Sequence, residues 1–338
     1  MTRAPVTESR AAEAVVATER RIPLGPGGPT VYLRGKRPAR RDSGLSPVLC
    51  VHGATFPGHA VFDLALDGLS WLDVLALNGV QAWCVDLPGY GLSDRPPAMD
   101  APAPVNAPVT HTSEGVAAVA AARDAVLAET GHASLTLLGW SWGTTLCASV
   151  AAREPALVDR LVLFGPQWLH DTLTLLAPGS TAIGAYRLVT MEAARLRRLR
   201  GVPEAERAGL VSEAWLDAWE QALLDSDPTS RGRTPPAIRA PNGTIQDALD
   251  HWCVGAVPYD PRAIRAPTLL VVGEWDRETT LDQARGLFET LGGTSVRRLV
   301  VLGRAGHWAM LDRRRFELFA IVQTFLEERF AEAALFRR

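Results

Sequence analysis

Hydrophobic and polar positions follow two rhythms along this chain. Short apolar or β-branched runs occur at Glu13 to Arg21, Thr30 to Arg34, Val48 to His52, Val80 to Asp86, Ser134 to Gly139, Leu161 to Gly165, Thr268 to Gly273 and Val296 to Leu302. Stretches with helical spacing fall at Leu69 to Leu77, Ser113 to Glu129, Trp142 to Arg153, Leu281 to Leu291 and Asp312 to Phe330. Strands alternating with amphipathic helices predict an α/β protein with a mostly parallel, eight-stranded sheet flanked by helices. The second helix has a marked start, because His111-Thr112-Ser113-Glu114 offers a hydroxyl cap and an acidic first turn.

The alternation stops between Gly165 and Pro267, where helical stripes take over. Trp215, Trp219 and Leu223 recur every four residues, and Ile245, Ala248, Leu249, Trp252 and Cys253 follow the i, i+3, i+4, i+7, i+8 pattern behind a Thr244 to Asp247 cap. No strand is predicted here, and Asp225 to Gly243 reads as an exposed loop. The expected organisation is a disordered tail at 1–12, a core at 13–165 and 256–338, and a helical lid at 166–255. The tryptophans of that lid are expected to pack it onto the core or to line an acyl pocket. The run Arg195-Leu196-Arg197-Arg198-Leu199-Arg200 reads as a solvated helix face.

Composition narrows the chemistry. The chain has 338 residues, 47% hydrophobic and 21% charged, with a formal net charge of −2. That is a globular balance with no cationic field for nucleic acid. Lys36 is the single lysine, and its Arg34-Gly35-Lys36-Arg37 setting fits neither a phosphate-binding loop nor a Schiff base. Cys50, Cys84, Cys147 and Cys253 have apolar neighbours and no metal-ligand or redox spacing, as expected of unpaired thiols in a reducing compartment. The first 21 residues hold no apolar run of signal-peptide length, and Val116 to Leu127 is broken by Arg123 and Asp124. A cytoplasmic protein is expected, a monomer or homodimer without membrane or nucleic-acid partners, metal or cofactor.

Gly139-Trp140-Ser141-Trp142-Gly143 carries the most chemistry, since this Gly-x-Ser-x-Gly lies between a predicted strand and a predicted helix. A tight turn there presents the serine hydroxyl clear of the sheet and aims a helix N-terminus at the reacting centre. A serine needs a base to become a nucleophile. Of the seven histidines, only His307 follows the last predicted strand, and the chain order Ser, acid, His selects it. The acid is expected at Asp276, in Gly273-Glu274-Trp275-Asp276 after a strand, with Glu274 and Glu278 as rivals. Oxyanion donors are expected from the backbone N–H groups of Trp142 and Ala54, the latter in His52-Gly53-Ala54-Thr55-Phe56.

With these motifs in this order, the sequence resembles the α/β-hydrolase superfamily over nearly its whole length. The stretch from Asp86 to Asp94 is similar to the family's structural loop ahead of the nucleophile strand, and His52 to a residue that orders the oxyanion loop. The expected activity is that of a serine hydrolase cleaving a carboxylic ester or related small-molecule acyl compound through an acyl-enzyme, with the lid tryptophans pointing to an apolar or aromatic acyl group. A serine at 141 disfavours the dehalogenases and epoxide hydrolases of the fold, which use aspartate. Gly-Trp-Ser-Trp-Gly-Thr-Thr-Leu is partly similar to proline iminopeptidases, but their His-Gly-Gly-Pro-Gly differs from His52 to Phe56. Amidase or aminopeptidase is the second reading; the third is a ligand-binding protein that kept the fold.

Overall fold

The computed structural model describes residues 14–40, 43–170 and 183–330. Ten strands are present among them: β1 (Val15–Pro23), β2 (Thr30–Pro38), β3 (Val48–Val51), β4 (Ala82–Asp86), β5 (Leu135–Trp140), β6 (Val158–Phe164), β7 (Tyr186–Thr190), β8 (Ala237–Pro241), β9 (Thr268–Gly273) and β10 (Arg297–Leu302). Eight form one sheet in the order β1-β2-β4-β3-β5-β6-β9-β10, antiparallel at β1-β2 and β2-β4 and parallel from there on. The central strands are buried throughout and, Thr136 apart, apolar, because helices cover both faces.

Successive residues feed opposite layers, as the two-residue period of a strand requires. Leu49, Val51, Leu135 and Leu137 join the layer under α3 (Thr112–Thr130) and α4 (Trp142–Arg153). Val48, Cys50, Leu138 and Trp140 join the other, under α2 (Trp71–Leu77) and α10 (Arg315–Glu327). Helix α1 (Gly58–Phe62) went unpredicted because a five-residue helix shows no periodicity, and α9 (Leu281–Thr290) precedes β10. Lys36 is structural: its Nζ pairs with Asp63 at 2.6 Å and Asp73 at 2.7 Å.

Between β6 and β9 lie α5 (Met191–Arg198), α6 (Glu204–Arg207), α7 (Glu213–Ser226) and α8 (Gly243–Asp250), together with β7 and β8. The segment is therefore not purely helical, since β7 and β8 pair antiparallel from Tyr186↔Pro241 to Thr190↔Ala237. The expected loop Asp225 to Gly243 contains all of β8, which is buried. Asp227 makes this possible by receiving Arg239 Nε at 3.1 Å and Nη2 at 2.9 Å, neutralising an arginine that a solvated loop would not need to pair. Asn242, not Thr244, sits at the start of α8, and Asp247 accepts from the Thr112 N–H at 2.5 Å. The arginine run is not a solvated face either. Arg198 is buried, Arg197 pairs with Glu278, and Arg195 pairs with Glu213, Asp217 and Glu220. The expected tail at 1–12 and part of the insertion, 171–182, lie outside the described residues.

Aromatic rings join this insertion to the core. Phe56 stands 5.0 Å from Trp219 of α7 and 4.9 Å from Trp308, and Trp308 is 5.5 Å from Trp219 and 5.0 Å from Trp140, centroid to centroid. Such edge-to-face pairs add about 0.5–1.5 kcal/mol each beyond the area they bury.

Candidate active site

Ser141 is the single residue between β5 and α4, with φ 56° and ψ −124°. A non-glycine residue there costs roughly 1–3 kcal/mol and needs its surroundings to hold it. Its N–H donates to the Phe164 carbonyl at 3.0 Å, and its own carbonyl accepts from the Thr144 N–H at 2.9 Å and hydroxyl at 2.6 Å. The turn closes only because two side chains are missing. A Cβ on Gly139 would lie 2.4 Å from the Gly143 carbonyl oxygen, and one on Gly143 2.2 Å from that of Val51. Ser141 itself is partly exposed, between buried Trp140 and Trp142.

Asp276 and His307 follow β9 and β10, whose parallel pairing ends at Leu302↔Gly273, so both loops leave the sheet side by side. His307 Nδ1 and Asp276 Oδ2 are 2.7 Å apart. The carboxylate is fixed in turn: Oδ1 accepts from the N–H groups of Glu278 and Thr279 at 2.8 and 2.9 Å, and Oδ2 from the Thr279 hydroxyl at 3.0 Å. Facing an acceptor-only carboxylate, Nδ1 carries the proton and Nε2 keeps its lone pair. Nε2 is buried with no hydrogen-bond partner among the described residues; no bond joins it to Ser141. The Trp140 indole donates to the His307 carbonyl at 2.9 Å, tying this loop to the residue before Ser141.

Glu278 lies on the other side of the ring, its Oε2 3.8 Å from Nε2, and forms a two-pronged pair with Arg197. Burial alone would depress the imidazole pKa, but the charges of Asp276 and Glu278 and the Asp276 hydrogen bond overcome it and raise the pKa above its usual value. Glu278 is held below the usual carboxylate range: burial opposes this, and Arg197 and His307 outweigh it.

The loop after β3 lies against the serine, where a Cβ on Gly53 would come 2.9 Å from that of Ser141. The Leu87 N–H donates to His52 Nε2 at 3.0 Å, so the proton is on Nδ1, which donates to the Gly53 carbonyl at 2.7 Å. Burial lowers the His52 pKa to about 4 and keeps the ring neutral. Because the Gly53 carbonyl and the Ala54 N–H belong to one trans peptide, His52 also fixes where that N–H points. Neither the Ala54 nor the Trp142 N–H donates to any described residue.

A family profile described as the alpha/beta hydrolase fold matches residues 46–314. The chain belongs to the α/β-hydrolase family. No curated protein matches this α/β-hydrolase in sequence. Solved structures match it in fold. A serine hydrolase involved in carbazole degradation has 18% identity and a TM-score of 0.61, covering 93% of this chain and 100% of that one. A meta-cleavage product hydrolase from Pseudomonas fluorescens has 18% identity and a TM-score of 0.58, covering 90% and 96%. A thermophilic esterase from Thermogutta terrifontis has 18% and 0.56, covering 91% and 98%. At such identities the likeness is one of fold.

Within this α/β-hydrolase, Asp276 is the carboxylate that meets His307 Nδ1. Glu274 turns away, with its Oε2 accepting from the Arg304 N–H at 2.8 Å. His59 and His111 are paired elsewhere, with Asp86 and Asp247, each at 2.7 Å. Asp86 and Asp94 hold loops, through the N–H groups of His59 and Leu92 and of Thr30 respectively. Neither Thr279, whose hydroxyl donates to Asp276 Oδ2 at 3.0 Å and lies 3.2 Å from His307 Nδ1, nor Arg187, whose contacts with the Ala54 loop span 133 residues of chain, leaves a motif in the sequence. Among the described residues no cluster of His, Cys, Asp and Glu could hold a metal ion, and no helix is long and apolar enough to cross a membrane.

Proposed function

We propose that this α/β-hydrolase cleaves a carboxylic ester or related acyl compound of small-molecule size through an acyl-enzyme. The Ser141 hydroxyl oxygen attacks the acyl carbonyl as its proton passes to His307 Nε2, and Asp276 stabilises the imidazolium. The Ala54 and Trp142 N–H groups bind the oxyanion. His307 then protonates the departing alkoxide; it next takes a proton from water as the hydroxide attacks the acyl carbonyl, and returns that proton to the Ser141 oxygen as the acid leaves. One observation carries this reading: a strained, partly exposed serine follows the residue whose indole holds the His307 loop and precedes one whose N–H is unbonded, and that histidine has its Nδ1 on a carboxylate and no hydrogen bond at Nε2. The missing Ser141–His307 bond is compatible with it, since such bonds are often long before substrate binds.

An aminopeptidase would need carboxylates for a substrate amine; of Glu192, Glu213, Asp217 and Glu220 in the insertion, the last three are engaged by Arg195, which leaves this the second reading. A fluorophosphonate probe is expected to label the wild-type protein once, on the peptide carrying Ser141, as read by mass spectrometry. Labelling elsewhere, or none, would favour the ligand-binding alternative.

The raised His307 pKa sets a pH dependence. The base must be neutral, so kcat/KM should rise with pH along a limb whose midpoint lies above 6.5, the ordinary histidine value. Glu278→Gln removes an anion facing Nε2 and leaves the Arg197 charge unbalanced; both lower the histidine pKa. The variant's limb should therefore move to lower pH. A profile that stays put or moves to higher pH would refute this electrostatic account.

A further inference from the structure

We infer that Arg187 is a positioning residue for the oxyanion site: seated on β7, it clamps the Ala54–Thr55 turn, so that the insertion supplies one of the anchors that hold the Ala54 N–H in place. This rests on the serine-hydrolase reading above and adds to it a residue from outside the sheet domain.

The argument begins with donors. Arg187 Nη2 donates to the Ala54 carbonyl at 2.6 Å and to Thr55 Oγ1 at 2.8 Å. Nη1 donates to the Pro241 carbonyl at 2.8 Å, to Asn242 Oδ1 at 3.1 Å and, more weakly, to the Ala240 carbonyl at 3.4 Å. The four Nη hydrogens are therefore committed to protein acceptors, half to the core loop and half to the end of β8. A guanidinium so occupied is a brace, with little left to offer a substrate. Arg197 reinforces it, donating through Nη1 to the same Thr55 Oγ1 at 2.8 Å while its other nitrogens hold Glu278.

The peptide geometry shows what the brace does. The Gly53 carbonyl is held by His52, and the Ala54 carbonyl by Arg187 and by the Tyr90 hydroxyl at 2.9 Å. With both flanking carbonyls anchored, the Ala54 N–H between them cannot swing. His52 and Tyr90 belong to the core, whereas Arg187 belongs to the insertion, so undocking the insertion frees one anchor. No carboxylate among the described residues pairs with Arg187. Burial lowers its pKa to about 10, which still leaves it a cation at neutral pH, close to where oxyanion charge would develop.

The test compares Arg187→Met with wild type on a p-nitrophenyl ester, alongside inhibition by a trifluoromethyl ketone, whose serine adduct carries an oxyanion. The expected result is a kcat lowered about 100-fold or more, the effect of losing an oxyanion donor, with KM within threefold. Ketone affinity should fall in parallel, and millimolar guanidinium should restore part of kcat. A wild-type kcat and ketone affinity would overturn the inference, as would a rise in KM alone, which would make Arg187 a substrate contact. If Arg187→Met fails to fold, the same readings are taken on Arg187→Lys, which keeps the charge without the fork and should lie between the two. Ser141→Ala measured in parallel separates the failures. An inactive Ser141→Ala with an unaffected Arg187 variant overturns the clamp alone; an active Ser141→Ala overturns the reading of the site, and the clamp with it.

Discussion

Ser141→Ala is expected to lower kcat on a p-nitrophenyl ester about 10⁶-fold, the loss typical when a triad nucleophile is removed, while leaving thermal stability nearly unchanged. The two effects separate because the hydroxyl does little for the fold. The bonds that hold residue 141 run through its backbone, to Phe164 and Thr144, and alanine keeps both. Alanine also keeps a β-carbon, so the cost of φ 56° is the same before and after the change. Steady-state kinetics on the purified variant, with a melting curve beside it, decides the matter. Activity within a hundredfold of wild type in a preparation free of contaminating esterase would remove Ser141 from the mechanism.

Asp276→Asn is the second large effect, about 10⁴-fold in kcat, because it inverts a proton position without moving atoms. The Glu278 and Thr279 N–H groups demand an acceptor at the Oδ1 position, so the asparagine oxygen turns there and its NH₂ faces His307 Nδ1. Nδ1 then has to accept, the ring proton moves to Nε2, and the base can no longer take the serine proton. Residues that work as a unit lose activity together, so Ser141→Ala/Asp276→Asn should be no slower than Ser141→Ala alone. A tenfold loss or less in the single variant would mean that Asp276 only braces the loop.

The sheet was legible from sequence because its central strands are buried on both faces and so read as short apolar runs set between helix-length stretches. The Ser141 turn was legible because its two close contacts need glycine at fixed offsets, a local requirement that leaves a local trace. The strands of the insertion left none. Tyr186–Thr190 and Ala237–Pro241 each carry an arginine, and β8 ends on a proline, so neither alternates until Asp227 neutralises Arg239 and the Ala54 loop receives Arg187. The arginine run was misread for the same reason. Its carboxylate partners Glu213, Asp217, Glu220 and Glu278 lie far away in sequence, and charge pairing across such distances has no period to read.

The aromatic ring cluster has a bearing on engineering. Phe56 belongs to the loop beyond Ala54, Trp140 precedes Ser141, Trp308 follows His307 and Trp219 belongs to the insertion, yet they pack as one body. The insertion is therefore not an interchangeable part. A chimera that grafts another family member's segment between β6 and β9 would bring rings shaped for a different Phe56 and Trp308. New specificity transplanted this way would have to travel with its own residues on both sides of the seam.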